Sequence, residues 1–209
     1  MVRPGDCEAD KMPRPWLRNV RSDGREAAEG PGLLRRFKRS QEGATAVEFG
    51  MLALPFLFLM FAILEIAMVF WSTQVLETAV ANAGRQVYTG QFQGDPANAN
   101  KTSAELGQKF KDALCANVTA LFNCAQAVSV DIRNFSSYSG ATPPSATTNG
   151  AYDTASFGYQ NVGPNQIALV TAAMEYTTVV KMLSGTTGLS NGNRLIMATT
   201  TFRTEPYSN

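Results

Sequence analysis

Residues 43–71 have the sequence GATAVEFGMLALPFLFLMFAILEIAMVFW, and this apolar stretch dominates the organisation of the chain. The 16 residues from Phe49 to Leu64 carry no charge. As a helix, Ala44–Trp71 would be about 42 Å long, whereas a bilayer core of about 30 Å needs roughly 20 apolar residues. A buried helix of a soluble protein is the alternative, but the run is too long and too uniformly apolar for it. The sequence therefore predicts a transmembrane helix.

Charged residues before the apolar run predict the orientation of this helix. The ten residues that precede Gly43 contain one acidic residue, Glu42, and four cations: Arg35, Arg36, Lys38 and Arg39. Because cations are enriched on the cytoplasmic side, the N-terminus should be cytoplasmic and the C-terminal part should cross the membrane. Trp71 would then lie near the far interface, where its polar ring N–H is tolerated.

A second signal lies at the start of the apolar run, where Gly43 precedes Glu48 by five positions. A secretory signal is cleaved after its apolar core, so the core is lost, but here the small residue precedes the core. Cleavage after Gly43 would leave a mature chain that begins at Ala44 and keeps its helix. This order resembles a prepilin peptidase site, with Gly43 at −1 and Glu48 at +5. In pilins and pseudopilins the retained helix anchors the subunit and packs against other such helices.

Three residues inside the predicted helix have specific expectations. In pilin-like families the position of Glu48 pairs with the freed amine of a neighbouring subunit, and we favour this over a solvated residue at the headgroups, because opposite charges attract strongly in low dielectric. For Glu65, snorkelling to the outer interface is favoured over a specific intramembrane pairing. Pro55 removes one backbone hydrogen bond and should kink the helix, either incidentally or in the service of assembly.

Composition gives no support to catalysis or nucleic-acid binding. The 209 residues include 18 Lys+Arg, 17 Asp+Glu and no His. A near-neutral balance offers no basic surface for nucleic acid, and the lack of His removes the commonest general base and metal ligand. The three Cys cannot form a four-ligand zinc site by themselves, and no nucleotide-binding or hydrolase motif occurs. We expect neither a cofactor nor an enzyme.

The apolar pattern divides the chain into three parts. Residues 1–43 are charged and aperiodic, which predicts a largely disordered cytoplasmic leader that starts at Met1 or at Met12. Residues 44–90 form one long helix, because apolar residues continue past the membrane segment on one face, at Val75, Leu76, Ala79, Val80, Ala83 and Val87. Gly90 and the following Gly94-Asp95-Pro96 should end it. Residues 91–209 would be a periplasmic domain.

Residues 40–91 resemble the N-terminal module of the TadE-like proteins, pseudopilins of the tight-adherence (Flp, type IVb) pilus assembly system. The resemblance is carried by Gly43, Glu48, the apolar run, Ala83-Gly84-Arg85 and Thr89-Gly90-Gln91, with a weaker similarity at residues 198–207. It implies a bacterial inner-membrane protein, processing by a prepilin peptidase and a part in pilus assembly. The lipid bilayer, other pilins or pseudopilins and the inner-membrane assembly platform would be its partners. The 43-residue leader is unusually long for this family.

Residues 102–123 have the pattern of an amphipathic helix that covers a sheet, and Thr102 and Glu105 predict a capping box at its start. In one straight helix the Cα atoms of Cys115 and Cys124 would be about 13.5 Å apart, whereas a disulfide tolerates about 7 Å. A bond therefore requires a break near residues 120–123, and an oxidising periplasm favours it over two buried thiols. Cys7, in the predicted leader, should stay reduced.

Three later segments have the composition of strands: Val128–Arg133, Ile167–Val180 and Leu195–Phe202. Residues 182–193 should form a loop of turn-forming residues, and residues 136–165 a long loop whose aromatic side chains pack over the sheet or, less favoured, act in adhesion. Those aromatic residues are Tyr138, Tyr152, Phe157 and Tyr159.

The predicted fold is α+β: a long N-terminal helix, half of it transmembrane, and a small domain with one amphipathic helix and an antiparallel sheet. The predicted function is structural, in pilus assembly. An unprocessed signal-anchored module for periplasmic adhesion or interaction is the alternative.

Overall fold

The computed structural model describes residues 41–116, 118, 122–181 and 188–207. The leader, including Cys7 and the basic cluster at 35–39, lies outside them except for its last three residues. The elements are α1 (Gln41–Tyr88), α2 (Ser103–Cys115), α3 (Cys124–Ala127), β1 (Val128–Phe135), β2 (Thr147–Thr148), β3 (Ala151–Tyr152), β4 (Ile167–Tyr176) and β5 (Arg194–Arg203). Short 3-10 helices occupy Pro96–Asn98 and Tyr138–Gly140. The α+β class is confirmed.

Within α1 the chain divides into two units, between Leu52 and Ala53. The domain limits predicted at residues 43 and 90 stay predictions. The larger unit contains the rest of α1 and every later element.

The surface of α1 changes character along its length. Up to Phe61 the large apolar side chains are exposed, whereas from Ala62 onward one face is buried at spacings of three and four. The buried residues of that face are Ala62, Val69, Ser72, Leu76, Ala79, Val80, Ala83 and Val87. The face predicted from sequence is confirmed except at Val75, which is only half-buried. The second half of α1 thus belongs to the core of the domain.

The main sheet has three antiparallel strands in the order β1-β4-β5. Val128 pairs with Met174 at one end of the β1–β4 ladder, and Tyr176 pairs with Arg194 at one end of the β4–β5 ladder. The first eight residues of β4 are all buried, because this central strand is covered on both faces. The predicted third segment is confirmed, but β4 ends at Tyr176 instead of Val180.

The two faces of the sheet are covered by different parts of the chain. On one face of the sheet, the even-numbered side chains of β1, β4 and β5 pack against α1 and α2 in one core. This core contains Leu76, Val80, Phe110, Leu114, Val128, Ile132, Val170, Met174 and Ile196. Odd-numbered positions contact the segment 136–165: the hydroxyl groups of Ser129 and Thr154 are hydrogen-bonded at 3.1 Å. That segment contains the hairpin β2–β3, which the sequence analysis did not predict.

Buried Asp131 attaches this segment to β1. Its carboxylate accepts hydrogen bonds from the Gly158 N–H at 2.9 Å and from Arg133 Nε at 3.0 Å. Burial raises the pKa of Asp131, and these two donors oppose that rise. Arg133 also donates to the Ser156 carbonyl at 2.8 Å, so both side chains hold the same stretch of loop.

Most aromatic residues of segment 136–165 pack against the domain, as favoured from sequence. The Tyr152 hydroxyl donates to the Ala173 carbonyl at 2.9 Å, Tyr159 is buried and Phe157 is half-buried. Tyr138 differs, because 57% of its surface is exposed.

Helix α2 begins where the sequence predicts and ends earlier. The Thr102 hydroxyl accepts from the Glu105 N–H, and the Glu105 carboxylate accepts from the Thr102 N–H at 2.9 Å, which is the predicted capping box. This backbone bond, with Lys101 nearby, lowers the pKa of Glu105 to about 2. The helix stops at Cys115, so the single helix predicted over 102–123 is wrong at its C-terminal end.

Candidate membrane anchor and processing site

The predicted processing residues lie in the first turns of α1. Residues 44–49 are exposed, including Ala44 and Glu48, and Gly43 is half-buried. The Glu48 carboxylate forms no ion pair with any residue that the structure describes. Cleavage after Gly43 stays a prediction.

The exposed part of α1 has the surface expected of a membrane anchor. Its large apolar side chains are mostly open, with exposed fractions of 75% for Phe49, 73% for Leu54 and 58% for Phe61. Contiguous apolar surface of this extent marks a membrane or protein interface. Within the described ranges, α1 is the one helix long and apolar enough to span a bilayer, as in a single-pass membrane protein.

Pro55 lies inside α1, and the helix continues on both sides of it. Because proline lacks an N–H, the turn before it loses one hydrogen bond. The kink predicted there, and any use of it in assembly, stay predictions.

Glu65 has partners that neither alternative from sequence named. Its carboxylate accepts the Val179 N–H at 2.7 Å and the Val180 N–H at 2.9 Å. These two residues lie beyond the end of β4, whose pairing with β5 ends at Tyr176 and Arg194, and their N–H groups bond to a side chain of α1. The sequence analysis did not predict this contact. It assigned both valines to the strand predicted over 167–180, because valine is typical of strands.

The disulfide between Cys115 and Cys124 is present, with Cα atoms 5.5 Å apart. Cys115 is the last residue of α2 and Cys124 the first residue of α3. The predicted geometric argument is confirmed, because the chain turns back between the two helices. Helix α2 ends at Cys115, before the predicted break at residues 120–123, of which 120 and 121 lie outside the described residues.

Gly84 in α1 and Gly90 just after it lie where a side chain would clash with other parts of the domain. A Cβ on Gly84 would lie 3.1 Å from Phe202 Cε1 and 3.2 Å from Thr200 Cγ2, so a side chain there would crowd β5 against the helix. Gly90 follows α1 with φ +75°, a conformation that favours glycine, and a Cβ there would clash with the Tyr207 ring. The Tyr207 hydroxyl donates to the Val162 carbonyl at 2.8 Å and fixes the ring in that place.

Comparison with known proteins identifies the segment that contains the anchor. The family model described as TadE-like protein matches residues 43–85. Residues 43–85 are similar to the TadE-like proteins. This TadE-like segment runs from the predicted cleavage residue Gly43 to Arg85, and it supports a function related to the tight-adherence pilus. The similarity noted at residues 198–207 lies outside the match. No curated protein and no solved structure matches the chain.

Proposed function

We propose that this chain is a membrane-anchored, pseudopilin-like structural subunit in the assembly of the tight-adherence (Flp) pilus. A prepilin peptidase removes its leader after Gly43. The observation that carries the proposal is the TadE-like match over residues 43–85, which begins at Gly43 and contains Glu48 and the whole apolar run. The role is structural instead of enzymatic.

The subunit lies in the bacterial inner membrane with its N-terminus in the cytoplasm and its C-terminal domain in the periplasm. The cations at 35–39 favour this orientation through the positive-inside rule. The Cys115–Cys124 disulfide supports it independently, because disulfides persist in oxidising compartments and are rare in the cytoplasm.

Assembly uses the new N-terminus that cleavage creates. The Glu48 carboxylate of this subunit pairs with the freed N-terminal amine of a neighbouring pilin or pseudopilin on the inner-membrane platform. The exposure of Glu48 and its lack of an ion-pair partner among described residues support this intermolecular role. In a low-dielectric environment such a pair attracts far more strongly than in water.

N-terminal sequencing of the mature protein tests the processing step. We expect the mature chain to begin at Ala44, and Gly43→Val to leave the precursor uncleaved because a branched side chain does not fit a subsite for glycine. Gly50→Val is the matched control and should be processed normally. A wild-type chain that keeps its leader in the envelope would instead favour the unprocessed adhesion or interaction module.

Pilus counts by electron microscopy test the assembly role of Glu48. In a strain in which deletion of the gene abolishes pili, Glu48→Ala should insert normally and fail to restore them. Glu77→Ala, on an exposed position of the same helix, is the control and should restore pili. Normal pilus numbers with Glu48→Ala would remove the proposed pairing.

A further inference from the structure

The contact between Glu65 and the residues after β4 lies at the level of α1 where the bilayer core should end. Thirteen residues, Phe49–Phe61, separate Glu48 from Ala62, the first buried residue of α1 among those described. A helix of that length rises about 20 Å, which is short of the roughly 30 Å of a bilayer core. The remaining thickness, about 10 Å, corresponds to residues 62–68. Glu65 lies in the middle of that range.

The segment Thr177–Lys181, called here the tip segment, contacts α1 at this level. Thr178 is buried, and its hydroxyl donates to the Gly192 carbonyl at 2.6 Å, which holds the segment to the domain. Val179, in contrast, points away from the domain with 91% of its surface exposed. The segment is held to the domain by Thr178 and to α1 by Glu65. A highly exposed apolar side chain on such a fixed segment is suited to a contact with lipid.

The polar groups of the contact satisfy one another. In a bilayer, backbone N–H groups must find partners within the protein, and a carboxylate is costly unless it is hydrogen-bonded. Glu65 accepts the N–H groups of both Val179 and Val180, so one contact meets both requirements. In water each group would be solvated without the other. The exposed Lys181 next in the chain can bring its ammonium group to lipid phosphates.

We propose that the tip segment is a second membrane-contacting element of this protein. Val179 inserts among the acyl chains of the periplasmic leaflet, and Glu65 holds the segment at that depth. The domain is thereby held against the membrane surface at a second point. The inference rests on the membrane insertion of α1 and needs neither cleavage after Gly43 nor the pilus role.

Depth-dependent fluorescence quenching on the full chain tests this inference. In a Cys7→Ser background, with Cys115 and Cys124 bonded, single cysteines replace Val179, Tyr138 or Phe58 and carry an environment-sensitive fluorophore. The protein is reconstituted in vesicles of phosphatidylethanolamine and phosphatidylglycerol, with or without nitroxide-labelled acyl chains. Tyr138 is the matched control, because it is exposed near Ile167 and Arg203, at the opposite end of the sheet. Phe58 reports insertion of α1.

We expect lipid nitroxides to quench the fluorophore at position 179 several-fold more than at position 138. Quenching at position 58 without quenching at 179 would overturn the inference and leave the membrane anchor intact. No quenching at position 58 would overturn both. Blue-shifted emission at 179 that lipid nitroxides do not quench, and that grows with protein density, would assign the surface to a second copy of the chain and overturn the lipid contact.

A variant of Glu65 tests the holding role. Glu65→Leu removes the acceptor of both N–H groups and should reduce quenching at position 179 several-fold while quenching at position 58 stays unchanged. Glu77→Leu, an exposed glutamate further along α1, is the control and should leave both signals unchanged. Unchanged quenching at 179 in Glu65→Leu would show that the tip segment is held without Glu65.

Discussion

The two parts of α1, Phe49–Phe61 and Ala62–Val87, meet different surroundings with different sequence patterns. The first has large apolar side chains on every side and almost all of them are exposed. The second is buried along one face, where it contacts the domain, whereas large apolar side chains on its other faces stay exposed as far as Trp71. Uniform hydrophobicity suits a helix surrounded by lipid, and periodic hydrophobicity suits a helix with one protein neighbour. The sequence pattern along the single helix α1 therefore reflects both a lipid environment and a protein environment.

Side-chain size differs between the parts as well. Where the domain packs on α1, small residues such as Ala79, Ala83 and Gly84 let the sheet come close, and the rings of Tyr88 and Phe202 meet edge-on with centroids 5.9 Å apart. In the first part, Phe and Leu predominate, and no close neighbour among the described residues limits their size. Small side chains on α1 therefore mark where the sheet packs closely, which hydrophobicity alone does not indicate.

Two leucines on α1 give the largest expected contrast. Leu76 is fully buried, whereas Leu54 is 73% exposed. Leu76→Ala should destabilise the domain by about 2–5 kcal/mol, because it removes buried apolar surface and leaves a cavity. Leu54→Ala should leave domain stability unchanged. Denaturant unfolding in detergent micelles measures both. Equal effects would mean that the two parts of the helix do not have separate surroundings.

Removal of the disulfide should affect the domain alone. Cys115 and Cys124 are nine positions apart, and the chain-entropy model gives about 2.5–3 kcal/mol for a loop of roughly ten residues. The double substitution Cys115→Ser and Cys124→Ser should raise protease sensitivity and lower envelope levels, without an effect on membrane insertion. Alkylation without reductant should leave both thiols unlabelled in the wild type. Free labelling of both would contradict the bonded geometry.

A pair of glycines should respond with opposite signs. Gly84→Ala places a Cβ within 3.2 Å of β5 side chains, and overpacking of that kind costs about 1 kcal/mol or more. Gly50 has no atom within 4 Å of its Cβ position, so Gly50→Ala should be neutral or stabilise the helix by up to about 1 kcal/mol. Thermal unfolding of both variants checks this. Destabilisation by Gly50→Ala would indicate a helix neighbour in the first part.

The smallest expected effect concerns the capping box of α2. The pKa of Glu105 is about 2 in the folded domain, below its ordinary value of 4.5. Its contribution to stability is therefore present above about pH 4.5 and is lost as the pH falls towards 2. The stability difference between the wild type and Glu105→Gln should shrink over that range. A constant difference would mean that the carboxylate charge is irrelevant to the cap.

Local rules were enough for much of this structure. The length of the apolar run predicted the anchor, the three-four spacing predicted the buried face of α1, and the distance between Cys115 and Cys124 predicted the turn between them. The hairpin β2–β3 also had a local signal that was overlooked. Its turn is Asn149-Gly150, a pair suited to a two-residue hairpin, and both residues have positive φ, 52° and 77°.

Long-range contacts account for the remaining differences. Val179 and Val180 have strand-like side chains, but the pairing of β4 with β5 ends at Tyr176 and Arg194, and the Val179 N–H bonds to Glu65, 114 positions earlier in the chain. Period and composition describe what a segment prefers, whereas the end of β4 depends on where its partner strand begins and on a contact with a distant part of the chain.

The packing of β5 on Gly84 also fixes an order of events during folding. Phe202 is synthesised 118 residues after Gly84. At about 5–20 residues per second, ribosomes need on the order of 6–25 s to make that stretch. Until β5 has been made, the part of α1 around Gly84 lacks the Thr200 and Phe202 side chains that pack on it. This part of the core can therefore form only after nearly the whole chain has been synthesised.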